Sequence, residues 1–146
     1  MKYKIAVCDH IHEDGINILA SCSDIELIDI SSFSFEEKLK KIENMHGLIT
    51  RSSTPVNETL LASAKELKSI VRAGVGVDNV DIDACSKRGI VVMNVPTSNT
   101  LAAVELTMAH MLSCVRNFVN CNVELKGGSW NRENWYGTEL YEKKLG

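Results

Sequence analysis

SIVRAGVGVDNVDIDACSKRGIVVMN (residues 69–94) carries a complete β-α-β unit. Ser69–Arg72 is a short β-type run that ends on a charge. Asp81–Arg88 has helical spacing, and Gly89 follows it as a terminator. Ile90–Met93 is a second apolar run of strand length. A strand, a helix and a strand in so few residues leave room only for a crossover connection, so the two strands run parallel.

The same alternation extends toward the N-terminus. Strands are predicted at Lys4–Cys8, Ile25–Ile30 and Leu48–Thr50, and helices at His12–Ser21, Ser34–Glu43 and Asn57–Ala64. In the first helix Ile16, Leu19 and Ala20 face inward. In the second, Phe35, Leu39 and Ile42 form the inner stripe, with Lys38, Lys40 and Lys41 outside. Five short strands alternating with helices predict an α/β fold, a flavodoxin-like doubly wound parallel sheet, with 2-1-3-4-5 as the default strand order.

Such sheets bind ligands beyond the carboxyl ends of their strands. Three of those ends here lead into polar loops: Thr50-Arg51-Ser52-Ser53, Arg72-Ala73-Gly74-Val75-Gly76 and Asn94-Val95-Pro96-Thr97-Ser98-Asn99. Glycines let backbone approach a ligand, successive free N–H groups make a nest for an anion, and arginine offers a planar fork for carboxylate or phosphate. The glycines can equally shape a tight turn, and both roles can hold together. The stretch resembles the dinucleotide fingerprint G-x-G-x-x-G, but Asn79 occupies the third glycine position, and the following strand ends in Met93-Asn94 with no acidic residue. It reads as a substrate loop for a small anion.

Composition narrows the class. The 146 residues are 45% apolar and 24% charged, as in an ordinary globular protein. A net charge of −3 and an aromatic content of 5% argue against nucleic-acid binding. The apolar stretch Leu101–Val119 contains Glu105, His110, Arg116 and Asn117, which disfavours a membrane span. Five cysteines with no C-x-x-C spacing, of which Cys8, Cys114 and Cys121 lie in apolar runs, fit buried free thiols in a reducing cytoplasm. No signal peptide is visible at the N-terminus. His10 and His12 read as surface residues, with no cluster beside them to hold a metal. Asp9 closes the first strand as in phospho-receiver domains, but Thr50-Arg51 stands where those domains need a further aspartate.

One long helix is predicted from about Asn99 to about Val123. Its apolar residues cover more than one stripe, so a second domain or a second subunit must cover it. Trp130 and Trp135 follow in a polar arm, where they fit as anchors on a partner or as cover for the chain's own core. Leu140–Gly146 looks like the entry to another strand.

Taken in order, Leu48-Ile49-Thr50-Arg51-Ser52, Arg72 through Asp81, Gly89 through Pro96, Ser98-Asn99-Thr100, Val104-Glu105-Leu106-Thr107 and Gly137-Thr138-Glu139-Leu140 resemble the N-terminal part of D-isomer-specific 2-hydroxyacid dehydrogenases, most closely the phosphoglycerate branch. The resemblance implies a substrate domain at residues 1–98. Residues 99–146 would then begin a dinucleotide-binding Rossmann domain that lies mostly beyond this sequence. It implies NAD-dependent oxidation of D-3-phosphoglycerate or a related D-2-hydroxy acid to the 2-keto acid, the entry to serine biosynthesis, by a cytoplasmic enzyme. A homodimer forms in that reading through the 99–123 helix and the 124–140 arm. Family substrate contacts fall on Arg51, Ser52, the Gly74-Val75-Gly76 backbone and Asn99, with Arg72 beside them, and Val75 also approaches the nicotinamide of the cofactor.

The family's catalytic arginine, glutamate and histidine have no counterpart among these residues, and none of His10, His12, His46 and His110 takes the histidine's place. Glu142 stands where the family commonly has glycine. The phosphate-binding glycine fingerprint is expected within about ten residues after Gly146. The chain alone is therefore expected to bind substrate weakly and not to transfer hydride. The alternative reading is a non-catalytic module for small-anion binding or dimerisation.

Overall fold

The computed structural model describes residues 2–146. They divide into two compact units, Met1–Ser98 and Asn99–Gly146. In the first unit the strands are β1 (Tyr3–Val7), β2 (Ile25–Asp29), β3 (Gly47–Thr50), β4 (Ser69–Arg72) and β5 (Val91–Asn94), and the helices are α1 (Glu13–Ala20), α2 (Phe35–Lys41), α3 (Glu58–Ser63) and α4 (Ile82–Lys87). The strands form one parallel sheet in the order β2-β1-β3-β4-β5, the default order for this alternation.

The residues read from sequence as the first of each helix are the caps. His12, Ser34, Asn57 and Asp81 each accept a backbone N–H of the first turn through the side chain. Ser34 and Glu37 complete a capping box. Each helix therefore begins one residue later than its sequence signal.

Every residue of the central strand β3 is buried, as expected for a parallel strand covered on both faces. Ala6, Cys8, Leu48 and Ile70 pack with Ile42, Leu60, Leu61, Ala84 and Cys85 in one apolar core. On α1, Ile16 and Leu19 are half-buried, whereas Ala20 is exposed, contrary to its predicted inward position. Lys38 departs most from expectation: read as part of a solvated face, it is buried. It lies three residues after Phe35 and four before Ile42, so it shares their face of α2.

The second unit contains α5 (Thr100–Val115), α6 (Phe118–Lys126) and a 3-10 turn at Arg132–Asn134. The single helix predicted over 99–123 is thus two. Asn117 breaks it by adopting φ 51° and ψ 32°, the left-handed conformation that asparagine tolerates better than other residues with a Cβ. Its Nδ2 donates to the Tyr136 carbonyl at 3.0 Å, tying the break to the arm. Neither α5 nor α6 buries a residue, so Cys114 is exposed and Cys121 half-buried rather than buried.

Leu140–Gly146 does not form the predicted strand entry. Lys143 N–H donates to the Leu140 carbonyl and Glu142 sits at φ 57°, which makes a turn. A strand needs a neighbour to pair with, and the described residues of this unit contain no other strand.

Replacing Asn117 separates strain from bonding. Asn117→Gly should lose only the side-chain bond to Tyr136. Asn117→Ala should also meet the left-handed backbone penalty, so it should be the less stable variant by about 1 kcal/mol in thermal or urea unfolding.

Candidate anion site at the sheet edge

The parallel registers align the strand ends that carry the candidate residues. Thr50 pairs with Arg72, and Arg72 with Asn94, across three adjacent strands. Arg51 and Arg72 therefore leave neighbouring strands within one residue of each other, and the three polar loops open on one edge of the sheet.

Backbone pairing joins the first two loops. Val56 and Val80 form an isolated parallel bridge: Val56 N–H donates to the Asn79 carbonyl, and Asp81 N–H to the Val56 carbonyl, both at 2.8 Å. The Asn79 carboxamide completes the joint. Its Nδ2 donates to the carbonyls of Arg51 and Thr54, each at 2.8 Å. This explains the missing third glycine of the fingerprint-like run, because a glycine could not make either bond.

Two residues past β1, Asp9 bonds the backbone of the first loop. It is only 5% exposed. Its Oδ2 accepts the backbone N–H groups of Arg51 at 2.6 Å and Thr54 at 3.1 Å, and Oδ1 accepts the Thr54 hydroxyl at 2.6 Å. Burial alone would push its carboxyl up, but the Thr54 hydroxyl, the two loop N–H groups and the Lys38 ammonium together hold it below its ordinary value. Burial, reinforced by Asp9 and opposed by Lys38, pushes the neighbouring Cys8 thiol up to about 12, so it is a packing group and not a nucleophile.

Arg51 itself is exposed. Its guanidinium makes one long contact, Nη1 to the His10 carbonyl at 3.4 Å, which leaves its fork free for a ligand. Ser52 beside it is exposed. In the glycine loop, Ala73 N–H donates to the Thr50 carbonyl at 2.7 Å, Val95 N–H to the Gly74 carbonyl at 3.0 Å, and Asn94 Nδ2 to the Val75 carbonyl at 2.7 Å. Among the described residues, the N–H groups of Val75 and Gly76 donate to nothing.

The Arg72 side chain lies over Gly74. A Cβ placed there would come within 1.9 Å of Arg72 Nη1. Arg72 Nε is buried and has no partner. Val75 is exposed between the two glycines. Free amides, a buried donor without an acceptor and a free guanidinium fork are chemistry for a small carboxylate or phosphate.

Asn99 belongs to the second unit, where it precedes α5 and makes no capping bond through its side chain. A cavity of about 730 Å³ lies in that unit, between α6 and the arm, and is lined by Arg116, Glu124, Trp130, Arg132, Trp135 and Tyr136 among others. Trp135 Nε1 donates to Glu124 Oε2 at 2.6 Å, so this tryptophan covers its own unit, whereas Trp130 is exposed. Sequence reasoning missed the supports of the site: Asp9, Lys38, Thr54 and the Asn79 side chain. A carboxylate two residues past the buried end of β1, and a lysine in register with an apolar face, were the available signals.

Comparison with known proteins agrees with this fold. Residues 5–143 match the family model described as D-isomer specific 2-hydroxyacid dehydrogenase, catalytic domain. The D-3-phosphoglycerate dehydrogenase of Methanocaldococcus jannaschii is 42% identical over 143 residues, covering 98% of this chain and 27% of that protein. The chain thus spans about a quarter of that relative's length. The solved 3-phosphoglycerate dehydrogenase of Entamoeba histolytica, bound to NAD+, superposes with a TM-score of 0.74 at 30% identity, over 96% of this chain and 44% of that one. D-lactate dehydrogenase of Aquifex aeolicus, solved with NAD and lactic acid, superposes at TM-score 0.76 over 94% of this chain and 41% of that one; its 21% identity shows the fold alone.

Two outcomes test the loop supports. Asn79→Gly recreates the G-x-G-x-x-G spacing, yet it should lower stability by about 1–3 kcal/mol through the two orphaned carbonyls and bring no affinity for NAD. Calorimetric binding of NAD gained by this variant would contradict the loop's assignment. For Asp9, a lowered folded value means that its stabilisation is complete above the ordinary 3.8 and is lost as pH falls below that, through the lowered value. The stability gap between the wild type and Asp9→Asn should therefore close in acid-unfolding curves below about pH 4.

Proposed function

The chain belongs to the D-isomer-specific 2-hydroxyacid dehydrogenase family, and from that premise we propose that residues 1–98 are the substrate-binding part of an NAD-dependent dehydrogenase acting on D-3-phosphoglycerate or a closely related D-2-hydroxy acid. The observation that carries this reading is the buried, unpartnered Arg72 Nε beside the free N–H groups of Val75 and Gly76. A substrate carboxylate would supply the acceptors these donors lack. Arg51 and Ser52 would hold the remaining anionic or hydroxyl groups. Asn99, on the second unit, is assigned a substrate contact by family resemblance alone.

For the cofactor, Val75 is the residue in this chain that suits the nicotinamide side of NAD. It is 41% exposed and lies between two glycines. NAD, when bound, supplies the hydride acceptor. The residues present here orient the hydroxy acid and hold its carboxylate; a phosphate cradle of G-x-G-x-x-G form does not occur in the 146-residue sequence. We assign residues 99–146 to the start of the dinucleotide-binding domain, and the reaction to the first step of serine biosynthesis in the cytoplasm.

A homodimer through 99–140 is supported by the exposed apolar side chains of that stretch, among them Leu101, Val104, Leu106, Leu112, Phe118 and Val119. Apolar surface of that extent marks an interaction face.

Calorimetric titration of the chain with 3-phosphoglycerate tests the site. Binding should be measurable, and Arg51→Ala should weaken it by about tenfold or more. An Arg51→Ala affinity equal to the wild type would overturn the assignment.

A further inference from the structure

Lys38, Thr54 and Asp9 form a buried polar chain behind Arg51 that the substrate contacts themselves do not require. Lys38 is 8% exposed, Thr54 1% and Asp9 5%. Lys38 Nζ donates to Thr54 Oγ1 at 3.3 Å, and the Thr54 hydroxyl spends its one hydrogen on Asp9 Oδ1 at 2.6 Å. The direction of the chain is therefore fixed, from ammonium to hydroxyl to carboxylate. Lys38 Nζ is also 3.7 Å from Asp9 Oδ1, the one ion pair of Asp9 among the described residues. At the far end, Asp9 Oδ2 takes the backbone N–H groups of Arg51 and Thr54.

We propose that Lys38 is a positioning residue for Arg51, acting through the Thr54 hydroxyl and the Asp9 carboxylate to set the affinity of the Arg51 loop for an anion. The inference rests on the anion-site reading. An apolar residue at position 38 would continue the stripe of Phe35 and Ile42, so packing alone does not call for lysine. A buried carboxylate without its cation would have to take up a proton or open toward water. Either response loosens the two loop N–H bonds, and with them the backbone from which the Arg51 fork projects.

Backbone amide exchange and 3-phosphoglycerate titration of the chain, run on the wild type, Lys38→Met, Lys38→Arg and Thr54→Val, test this. Lys38→Met should speed exchange at the Arg51 and Thr54 amides by about tenfold, leave the amides of β1 and β3 at wild-type rates, and weaken 3-phosphoglycerate binding. Lys38→Arg should restore both. Thr54→Val, which keeps both charges but cuts the link, should reproduce the local acceleration at Arg51, and it carries the test if Lys38→Met does not fold. Unchanged exchange at Arg51, or equal acceleration through β1 and β3, would overturn the proposal. No binding of 3-phosphoglycerate by the wild type would instead sink the anion-site reading, and the exchange pattern would still decide whether Lys38 holds the loop.

Discussion

Two hydrogen bonds from one carboxamide hold the sheet edge together. Asn79 leaves the glycine loop and donates to the carbonyls of Arg51 and Thr54 in the neighbouring loop. Loop backbone at the mouth of a parallel sheet has no ladder to satisfy it, so its polar groups must find side chains or water. Asn79 supplies the donors on one side of the Arg51 loop, and Asp9 supplies the acceptors on the other. Between them the loop is fixed from both faces while the Arg51 guanidinium stays exposed. A binding loop needs this division, with rigid backbone and a free side chain, because ordering a loop on binding would subtract from affinity.

The fold was legible because its signals are local. Short apolar runs, the caps Ser34, Asn57 and Asp81, and the terminator Gly89 each act within a turn or two. Once the strands are known to be parallel, the convergence of Thr50, Arg72 and Asn94 on one edge follows from topology. The break at Asn117 was less legible, because apolar residues continue on both sides of it and only the backbone shows the left-handed turn. The Leu140–Gly146 strand was misread for another reason. Strand propensity describes a residue that fits a pleated, half-buried surface, and no partner strand is present in this unit to provide one.

Within the candidate site, the residues proposed to meet a ligand were visible by type and their supports were not. Arginine and glycine beside a strand end declare themselves by type. Asp9, Lys38 and Thr54 lie 16 and 45 residues apart along the chain where they bond, and each alone has an ordinary explanation. Lys38 was assigned to solvent by its charge, whereas its spacing from Phe35 and Ile42 placed it inward. Where charge and spacing conflict, the conflict is itself a signal. A lysine that shares a buried stripe has to reach a buried acceptor, and here it reaches Thr54 and Asp9.

The same reasoning separates this glycine loop from a cofactor fingerprint. In a dinucleotide loop the third glycine allows a helix to pack closely on its strand. Here that position is used for the opposite purpose, a side chain that grips the adjacent loop. The loop is further filled by Arg72, whose guanidinium takes the space that Gly74 leaves. What remains without a hydrogen-bond partner among the described residues is the run of backbone N–H groups from Val75 through Asn79, with the exposed Val75 side chain at its start. A pyrophosphate site places its free amides at a helix N-terminus, whereas α4 begins only after Asp81 has occupied the Ala84 N–H with its own carboxylate.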